Sequence, residues 1–254
     1  KYPLLAENVN VEGTKLLLKA ITDQKLIYTS SIAVYGDRIN DPEIHLSNPH
    51  NPGETDYYAQ QKNLCERLIK ESGIDFSIMQ LGAVLSNQAM KFTPYMLWLP
   101  LRTKVEFVHV NDVALALANA VDNDMIWGQT FHIGGGEECR IPYEDFINEL
   151  TSRMGLGKGL FPTWMYSTAG GHCGYMMDSG IANNELEFQE TTLEDFYKEF
   201  LECEQTQKRI EKAEKHSLGL VRFAAQSAMF FRWIGFVSWF MLAAQSYKPM
   251  NEYN

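Results

Sequence analysis

Helix and strand patterns alternate along the first 110 residues of this chain, and this alternation constrains the fold more than any other feature. Apolar residues recur at helical spacing in some segments, and short apolar runs bounded by polar loops lie between them. Such alternation predicts a parallel sheet with crossover helices packed against it. The predicted helices are 7–21, 57–72 and 113–121, and the predicted strands are 25–30, 75–81, 105–110 and 129–133. Further along the chain, 193–215 is predicted to form one highly charged helix.

Three glycines, Gly134 to Gly136, follow the last of these strands. A phosphate-binding loop needs a helix directly after its glycines, because the helix N-terminus receives the anion. Here the next predicted helix begins only near Pro142. We therefore interpret the triplet as a turn that uses the conformational freedom of glycine. Asp112, just before the third predicted helix, is expected to cap it.

A hydroxyl at the end of the first strand and a Tyr-x-x-x-Lys motif on the following helix form a candidate proton-transfer set. The residues are Ser31, Tyr58 and Lys62. A nearby ammonium can lower the pKa of a phenol from about 10 toward neutral pH, and a serine can hold a substrate oxygen beside it. In a chain with 12 tyrosines, one Tyr-Lys pair of this spacing is by itself weak evidence for a catalytic site. This indication becomes stronger only if the surrounding segments point to the same site.

Composition excludes several classes of function. The chain has 254 residues with 45% hydrophobic content, which predicts one large domain or a domain with a lobe. Its formal net charge of −10 disfavours binding to nucleic acid. None of the four cysteines lies in a CxxC pair, so we expect neither a zinc site nor a disulfide framework. We expect a reducing compartment, either the cytoplasm or an organelle interior.

The segment 223–244 is apolar and carries one charge, Arg232. A mid-segment arginine costs about 2.5–3.5 kcal/mol on membrane insertion. The uninterrupted apolar run 233–244 is also too short for a span. We favour an amphipathic helix that contacts a membrane surface or a hydrophobic protein partner over intramolecular packing or a true span. The chain would then be peripheral to a membrane.

Five short motifs follow one another along the chain: NVEGT at 10–14, TSSIAVYG at 29–36, YAQQK at 58–62, FVHVND at 107–112 and FHIGGG at 131–136. In this order they resemble the extended short-chain dehydrogenase/reductase family, which comprises NAD(P)-dependent epimerases and dehydratases. The resemblance covers about residues 1–155 and, more weakly, continues to about 200.

The resemblance implies catalytic roles for four residues. Tyr58 would be the general acid/base, and Lys62 would tune its pKa and bind the nicotinamide ribose. Ser31 would hydrogen-bond the reacting oxygen, and Asn10 would support the relay to Lys62. We interpret His109 as a satisfied histidine beside the sheet and not as a catalytic group.

The resemblance also implies NAD or NADP as cofactor. Its binding residues would be Thr29, Tyr58, Lys62, Leu81, Gly82 and Val84. The GxxGxxG turn, which receives the cofactor pyrophosphate in the family, does not occur in this sequence, and only nine residues precede Asn10. A fragment, a separate polypeptide carrying the first half, and a protein without cofactor would each explain this; we favour a fragment.

The implied fold is α/β: a Rossmann-like parallel sheet whose N-terminal half is missing, a smaller C-terminal α/β substrate lobe, and an apolar C-terminal helix. We assign 1–125 to the C-terminal half of the dinucleotide-binding domain. The substrate lobe is 126–205, to which 85–104 contributes, and 206–254 is a helical tail.

One departure from the family pattern concerns the substrate. Sugar-nucleotide epimerases carry RPxNVYG where this chain reads QLGAVLS at 80–86, so Ala83 replaces the asparagine that contacts the nucleotide-sugar. That substrate class is therefore in doubt. The apolar tail resembles that of the steroid-dehydrogenase-like branch and favours a lipid-like substrate.

These observations predict an NAD(P)-dependent oxidoreductase or epimerase acting on a hydroxyl or carbonyl of a small or lipid-like substrate. The expected partners are that small molecule, no nucleic acid, a membrane surface or hydrophobic protein through 223–244, and a second copy or a larger complex. Two alternatives stay open. One is a non-catalytic structural subunit of a membrane-associated assembly, and the other is a lipid-surface module led by the tail.

Overall fold

The computed structural model describes residues 3–87, 94–168 and 170–245, with side chains from Leu5 to Ile234 within those ranges except Tyr95. The strands are β1 (Leu26–Ser31), β2 (Glu43–Ile44), β3 (Phe76–Leu81), β4 (Ala83–Leu85), β5 (Lys104–His109), β6 (Gln129–Ile133), β7 (Arg140–Pro142) and β8 (Tyr175–Met176). The α-helices are α1 (Pro3–Glu7), α2 (Gly13–Ala20), α3 (Tyr57–Glu71), α4 (Val110–Val121), α5 (Tyr143–Arg153), α6 (Ser179–Leu186), α7 (Leu193–Glu202), α8 (Glu204–Glu214) and α9 (Leu218–Gln245). A π-helical turn, Asn8–Glu12, joins α1 to α2.

The main sheet is parallel, with strand order β1-β3-β6. Its register places Ser31 opposite Leu81, and Leu81 opposite Ile133. Beside it, β4 pairs in parallel with β5, and β7 adds to β5 in the antiparallel sense. The strands β2 and β8, which lie far apart in the sequence, form a small parallel pair. This arrangement confirms the predicted α/β fold with a Rossmann-like parallel sheet.

Two of the three apolar clusters among the described residues are large. One lies between the main sheet and the helices α4 and α6, and it buries Met79, Val108 and Ile133 completely. The other lies under the lobe, where Phe146 of α5 packs against Phe107 of β5 with ring centroids 4.4 Å apart. The division into domains at 125 and 205 stays a prediction.

A buried carboxylate, Glu106, joins β5 to the lobe. It accepts hydrogen bonds from Arg140 Nε (2.7 Å), Ser179 Oγ (2.8 Å), Met176 N (2.9 Å) and Gly136 N (3.1 Å). Burial raises the pKa of Glu106, while Arg140 beside it acts in the opposite direction. Glu106 thus holds together four segments that come after β5 in the sequence: the loop at Gly136, β7, β8 and the start of α6.

The glycine triplet packs directly against this carboxylate. A Cβ at Gly134 would collide with Glu106, and a Cβ at Gly135 would collide with Phe107 O and Cys139. Gly136 has φ +79°, which glycine adopts without strain. Close approach and backbone conformation therefore explain the triplet, as the turn interpretation predicted.

Two predictions about helix boundaries were wrong. Helix α4 begins at Val110, and its N-cap is His109, whose Nδ1 accepts from Asn111 N at 3.3 Å. Asp112 lies inside the first turn and accepts from Thr191 N and Thr191 Oγ1 instead. The charged helix predicted at 193–215 is two helices, α7 and α8, because the chain turns at Cys203.

The first part of α9 packs on the lobe. Met229 is 4% exposed, and Arg222 donates to the carbonyls of Leu156, Lys158 and Gly159. Intramolecular packing, which we did not favour, therefore holds one face of this helix. The residues 246–254, and the side chains after Ile234, lie outside the described part of the chain.

The opposite face of α9 exposes large apolar side chains. Phe223 is 67% exposed and Phe231 is 71% exposed. None of the helices described is both long enough and apolar enough to cross a membrane. Contact of 223–244 with a membrane surface or a hydrophobic protein stays a prediction, as does self-association.

Candidate active site

The catalytic helix of the predicted site is α3, whose first turn carries Tyr58. Asp56 caps this helix, because its Oδ1 accepts from Ala59 N at 3.1 Å. Tyr58 is 47% exposed, so its phenol is accessible from outside the chain. Ser31 ends β1, and its Oγ accepts from Ala33 N at 3.2 Å. The carboxyl end of β1 and the start of α3 therefore present the two hydroxyls together.

Lys62 lies one turn further along α3 and reaches back to the sheet. Its Nζ donates to Thr29 O at 2.7 Å. The same ammonium lies 4.7 Å from the ring centroid of Tyr28 and 5.9 Å from that of Tyr58. The carbonyl and the two rings hold the lysine beside Tyr58 at the sheet edge.

The pKa of Tyr58 is raised, whereas the sequence predicted that Lys62 would lower it. Burial is the main cause, and the carboxylate of Asp56 acts in the same direction. The hydrogen bond with Ser31 acts against both. Burial also lowers the pKa of Lys62. In this structure, burial and the charge of Asp56 together outweigh the lowering that we expected from Lys62.

Asn10 lies on the π-helical turn, a distortion that is frequent at functional sites. Its Nδ2 donates to Gln61 Oε1 at 2.9 Å, and its carbonyl accepts from Cys65 Sγ at 3.3 Å. Asn10 therefore contacts α3 on both sides of Lys62. Its role in a relay to that lysine stays a prediction.

The residues predicted to line the nicotinamide lie at the same sheet edge. Leu81 is the register partner of Ser31, and Gly82 N donates to Ile133 O at 3.0 Å. A Cβ at Gly82 would lie 3.0 Å from Glu106 O, so this position has no room for a side chain without a shift. Val84, 43% exposed, follows on β4.

An ion pair that the sequence analysis missed joins the lobe to the catalytic helix. His172 Nδ1 lies 3.0 Å from Asp56 Oδ2, and Arg38 N donates to Gly171 O at 3.0 Å. The hydrogen bond and charge of His172 help to lower the pKa of Asp56, although burial opposes them. An aspartate before a helix is a recognisable cap, but its lobe partner is 116 residues away.

A buried polar network lies behind the site, and the sequence analysis missed it as well. Gln80 Nε2 donates to Glu66 Oε1 at 3.0 Å and lies 3.2 Å from His50 Nε2. Gln80 Oε1 accepts from Tyr35 OH at 2.8 Å, and that hydroxyl lies 3.0 Å from His132 Nε2. Because these groups are desolvated, each needs its partner. The network ties β3 and β6 to α3.

His132 makes the stability of the protein sensitive to acid. Burial lowers its pKa from 6.5 to about 4. As the pH falls from 6.5 toward 4, the histidine is protonated in the unfolded chain but stays neutral in the folded chain. Its contribution to the free energy of unfolding is therefore complete above pH 6.5 and is lost progressively between pH 6.5 and pH 4. A shift of this size corresponds to roughly 3 kcal/mol. We expect His132→Gln to remove this part of the acid slope in urea unfolding measured between pH 7 and pH 4.

A matched control is His216→Gln, since His216 is exposed. It should keep the wild-type slope. Equal slopes for His132→Gln and the wild type would contradict the assignment of the acid sensitivity to His132.

The remaining candidate groups have structural partners. His109 is 5% exposed, and its Nδ1 accepts from Asn111 N. Its Nε2 lies 3.2 Å from Glu199 Oε2 but makes no hydrogen bond, so the expectation of a satisfied histidine holds for one ring nitrogen only. Cys65, Cys139, Cys173 and Cys203 are free thiols. Over the described ranges, no cluster of three or more His, Cys, Asp or Glu could hold a metal ion.

The fold and the Ser-Tyr-Lys arrangement define the class of Rossmann-like α/β proteins. Residues 5–91 match the model of the 3-beta hydroxysteroid dehydrogenase/isomerase family. Together with the fold, this match confirms the predicted relationship to the extended short-chain dehydrogenase/reductase family. A sequence comparison with curated proteins finds no match.

Several solved structures share the fold at low identity. A short-chain dehydrogenase/reductase superfamily protein from Agrobacterium tumefaciens with bound NAD is 17% identical, with a TM-score of 0.64 over 84% of this chain and 77% of that one. A UDP-glucose-4-epimerase from Stenotrophomonas maltophila, with bound NAD and formylated UDP-arabinopyranose, is 18% identical, with a TM-score of 0.64 over 83% and 72%. A dTDP-glucose 4,6-dehydratase from Bacillus anthracis in complex with NAD is 16% identical, with a TM-score of 0.63 over 85% and 71%. At these identities the likeness describes the fold.

Proposed function

We propose that this chain is part of an NAD(P)-dependent oxidoreductase or epimerase whose acid/base is Tyr58. The observation that carries the proposal is the meeting of Ser31, Tyr58 and Lys62 at the carboxyl edge of the parallel sheet, where open α/β sheets bind their ligands. The similar folds of three NAD-bound structures support the same cofactor class.

The residues at this edge fit the nicotinamide end of such a cofactor. Lys62 supplies a charged donor for ribose hydroxyls, while Leu81, Gly82 and Val84 supply an apolar and narrow wall. Bound nicotinamide supplies hydride exchange.

The chain's own part in the reaction is to position and to move a proton. Ser31 Oγ would hold the substrate hydroxyl or carbonyl oxygen beside the phenol. Tyr58 OH would then donate a proton to that oxygen, or take one from it, according to the direction of reaction. Burial raises the pKa of Tyr58. The positive charges of Lys62 and of a bound oxidised nicotinamide would act in the opposite direction and favour the phenolate.

Two kinds of relative bear on the substrate class. Similar folds include enzymes of nucleotide-sugars, whereas the matched family model is that of 3-beta hydroxysteroid dehydrogenases. Ala83 stands where the epimerases have asparagine, and the exposed apolar face of α9 suits a lipid-like substrate or a membrane periphery. We therefore propose a hydroxyl or carbonyl of a lipid-like molecule, with a small polar substrate as the second candidate.

Substitution of Lys62 tests the proposal. In the full-length protein, Lys62→Met should weaken NADH or NADPH binding by roughly 10- to 100-fold, because a hydrogen bond from a charged group contributes about 1.5–3 kcal/mol. Fluorescence titration of the reduced cofactor measures the affinity. Lys198→Met, an exposed position on α7, is the matched control and should bind the cofactor like the wild type.

The outcomes also separate the enzyme from the alternative of a structural subunit. Normal cofactor binding without turnover on any hydroxyl or carbonyl substrate, together with stoichiometric protein partners, would favour the subunit. Cofactor affinity that is the same in Lys62→Met and Lys198→Met would overturn the proposed site.

A further inference from the structure

A large apolar cavity lies away from the Ser-Tyr-Lys site, between the end of α5, the loop 154–161, and the helices α8 and α9. Its volume is about 440 Å³. Its lining shares no residue with the predicted site and includes Met154, Leu160, Phe161, Ile210, Ala225 and Met229. This volume falls in the range of small-molecule sites, which are mostly apolar with a few placed polar groups.

The walls of the cavity are fixed by specific bonds. Arg222 holds the carbonyls of Leu156, Lys158 and Gly159, and Gln226 Nε2 donates to Leu160 O at 2.6 Å. The loop and α9 are therefore clamped together outside the cavity. The cavity is a consequence of this docking geometry.

The charged groups on its lining have one sign. Arg209 of α8 and Arg232 of α9 both line the cavity, and no carboxylate belongs to its lining among the described residues. Guanidinium groups are suited to bind carboxylate or phosphate oxygens. In a chain of net charge −10, a cavity with two arginines and no acid is a local exception.

The cavity continues into a smaller one. The second volume, about 260 Å³, shares Met154, Leu156, Ile210, Ala213 and Val221 with the first. Glu214 lines this second part, together with Arg153 and His216. Because they share these five lining residues, the two volumes adjoin, and together they form a trough in which a chain can pass from one volume into the other.

We infer that this trough binds a single-chain amphiphile with an apolar tail and an anionic head, such as a long-chain fatty acid. The tail lies along the apolar walls, where its burial removes apolar surface from water. The head lies against Arg209 and Arg232. The inference does not depend on the proposed catalytic function, because the trough and the Ser-Tyr-Lys site have separate linings.

Calorimetric titration of the full-length protein with decanoate, below its micelle-forming concentration, tests the inference. The neutral analogue is decanol, which has the same chain. One molecule of decanoate should bind per protein. Arg209→Gln should weaken decanoate binding at least tenfold and leave decanol binding unchanged. Arg102→Gln, on an exposed turn before β5, is the matched control for loss of a positive charge.

In a second pair of variants, one places a tryptophan in the cavity and the other places it outside the cavity. Ala228 lines the cavity on an accessible part of α9, so Ala228→Trp should abolish binding of both ligands. Ala224→Trp places the same side chain at an exposed position of the same helix outside the lining, and binding should persist. Thermal unfolding of each variant checks that the fold is retained.

Flotation with phosphatidylcholine vesicles, with and without phosphatidylserine, distinguishes the source of the amphiphile. Binding of free decanoate that is lost in Ala228→Trp would support the inference, whether or not the protein floats with the vesicles. Flotation that depends on Phe223 and Phe231 without any decanoate binding would overturn it. Equal decanoate affinity in Ala228→Trp and Ala224→Trp would overturn it as well.

Discussion

Tyr58→Phe should lower turnover of the full-length protein by about 10²- to 10⁴-fold, the usual contribution of a general acid/base. The substitution removes one oxygen, and the ring keeps its place at the start of α3. Since Tyr58 is 47% exposed, the loss of its hydroxyl leaves no buried group unpaired. The free energy of unfolding should therefore change little, while kcat falls. Steady-state kinetics with the reduced cofactor and urea unfolding measure the two effects.

The neighbouring tyrosine provides a matched control. Tyr57→Phe makes the same chemical change one residue earlier on the same helix, and we expect near wild-type turnover. Cofactor affinity should fall less in Tyr58→Phe than in Lys62→Met, because the charged donor Lys62 remains. Turnover that survives in Tyr58→Phe would remove Tyr58 from the reaction and leave the Ser-Tyr-Lys arrangement without its central member.

Glu106→Ala should produce the largest loss of stability in the chain, about 3–5 kcal/mol. Removing this carboxylate leaves Arg140 as an uncompensated, largely buried charge. It also leaves the hydrogen-bond donors of Ser179, Met176 and Gly136 without their acceptor. The free energy of unfolding from urea titration measures the loss.

Two further variants locate the cause. Glu106→Gln keeps the shape and one acceptor oxygen, so it should be less damaging than Glu106→Ala and provide a folded protein for comparison. Glu204→Ala removes a carboxylate whose side chain is 81% exposed, and its pairing with Lys208 should contribute little. Similar losses for Glu106→Ala and Glu204→Ala would show that the buried network around Glu106 does not govern stability.

The elements that the sequence predicted best have a strong local pattern. The helix expected at 57–72 is Tyr57–Glu71, and the strand expected at 75–81 is Phe76–Leu81. The helix lies between clear signals, Asp56 as its cap and Gly73 just after its end, and the strand begins shortly after the same glycine. The parallel order of the strands followed from the same alternation of strands and helices.

The boundaries that were wrong depend on contacts with distant segments. Asp112 reads as a helix cap, yet Thr191 takes both of its carboxylate oxygens, and His109 caps the helix instead. At Cys203 the chain turns within a run of helix-favouring residues. The inward face of α9 was likewise unpredicted, because its partners are the carbonyls of loop 156–159.

The sequence by itself determined the strands β1, β3, β5 and β6 and the helix α3, and it identified Ser31, Tyr58 and Lys62 as the candidate proton-transfer set. Those properties arise from hydrophobic periodicity and short motifs, which neighbouring residues carry. Only the tertiary structure decided that Lys62 donates to Thr29 O, that His172 pairs with Asp56, and that Glu106 joins β5 to the lobe. The physical reason is that a buried polar group takes its partner from whatever segment the packing brings beside it, and these partners lie 33, 116 and 34 residues apart.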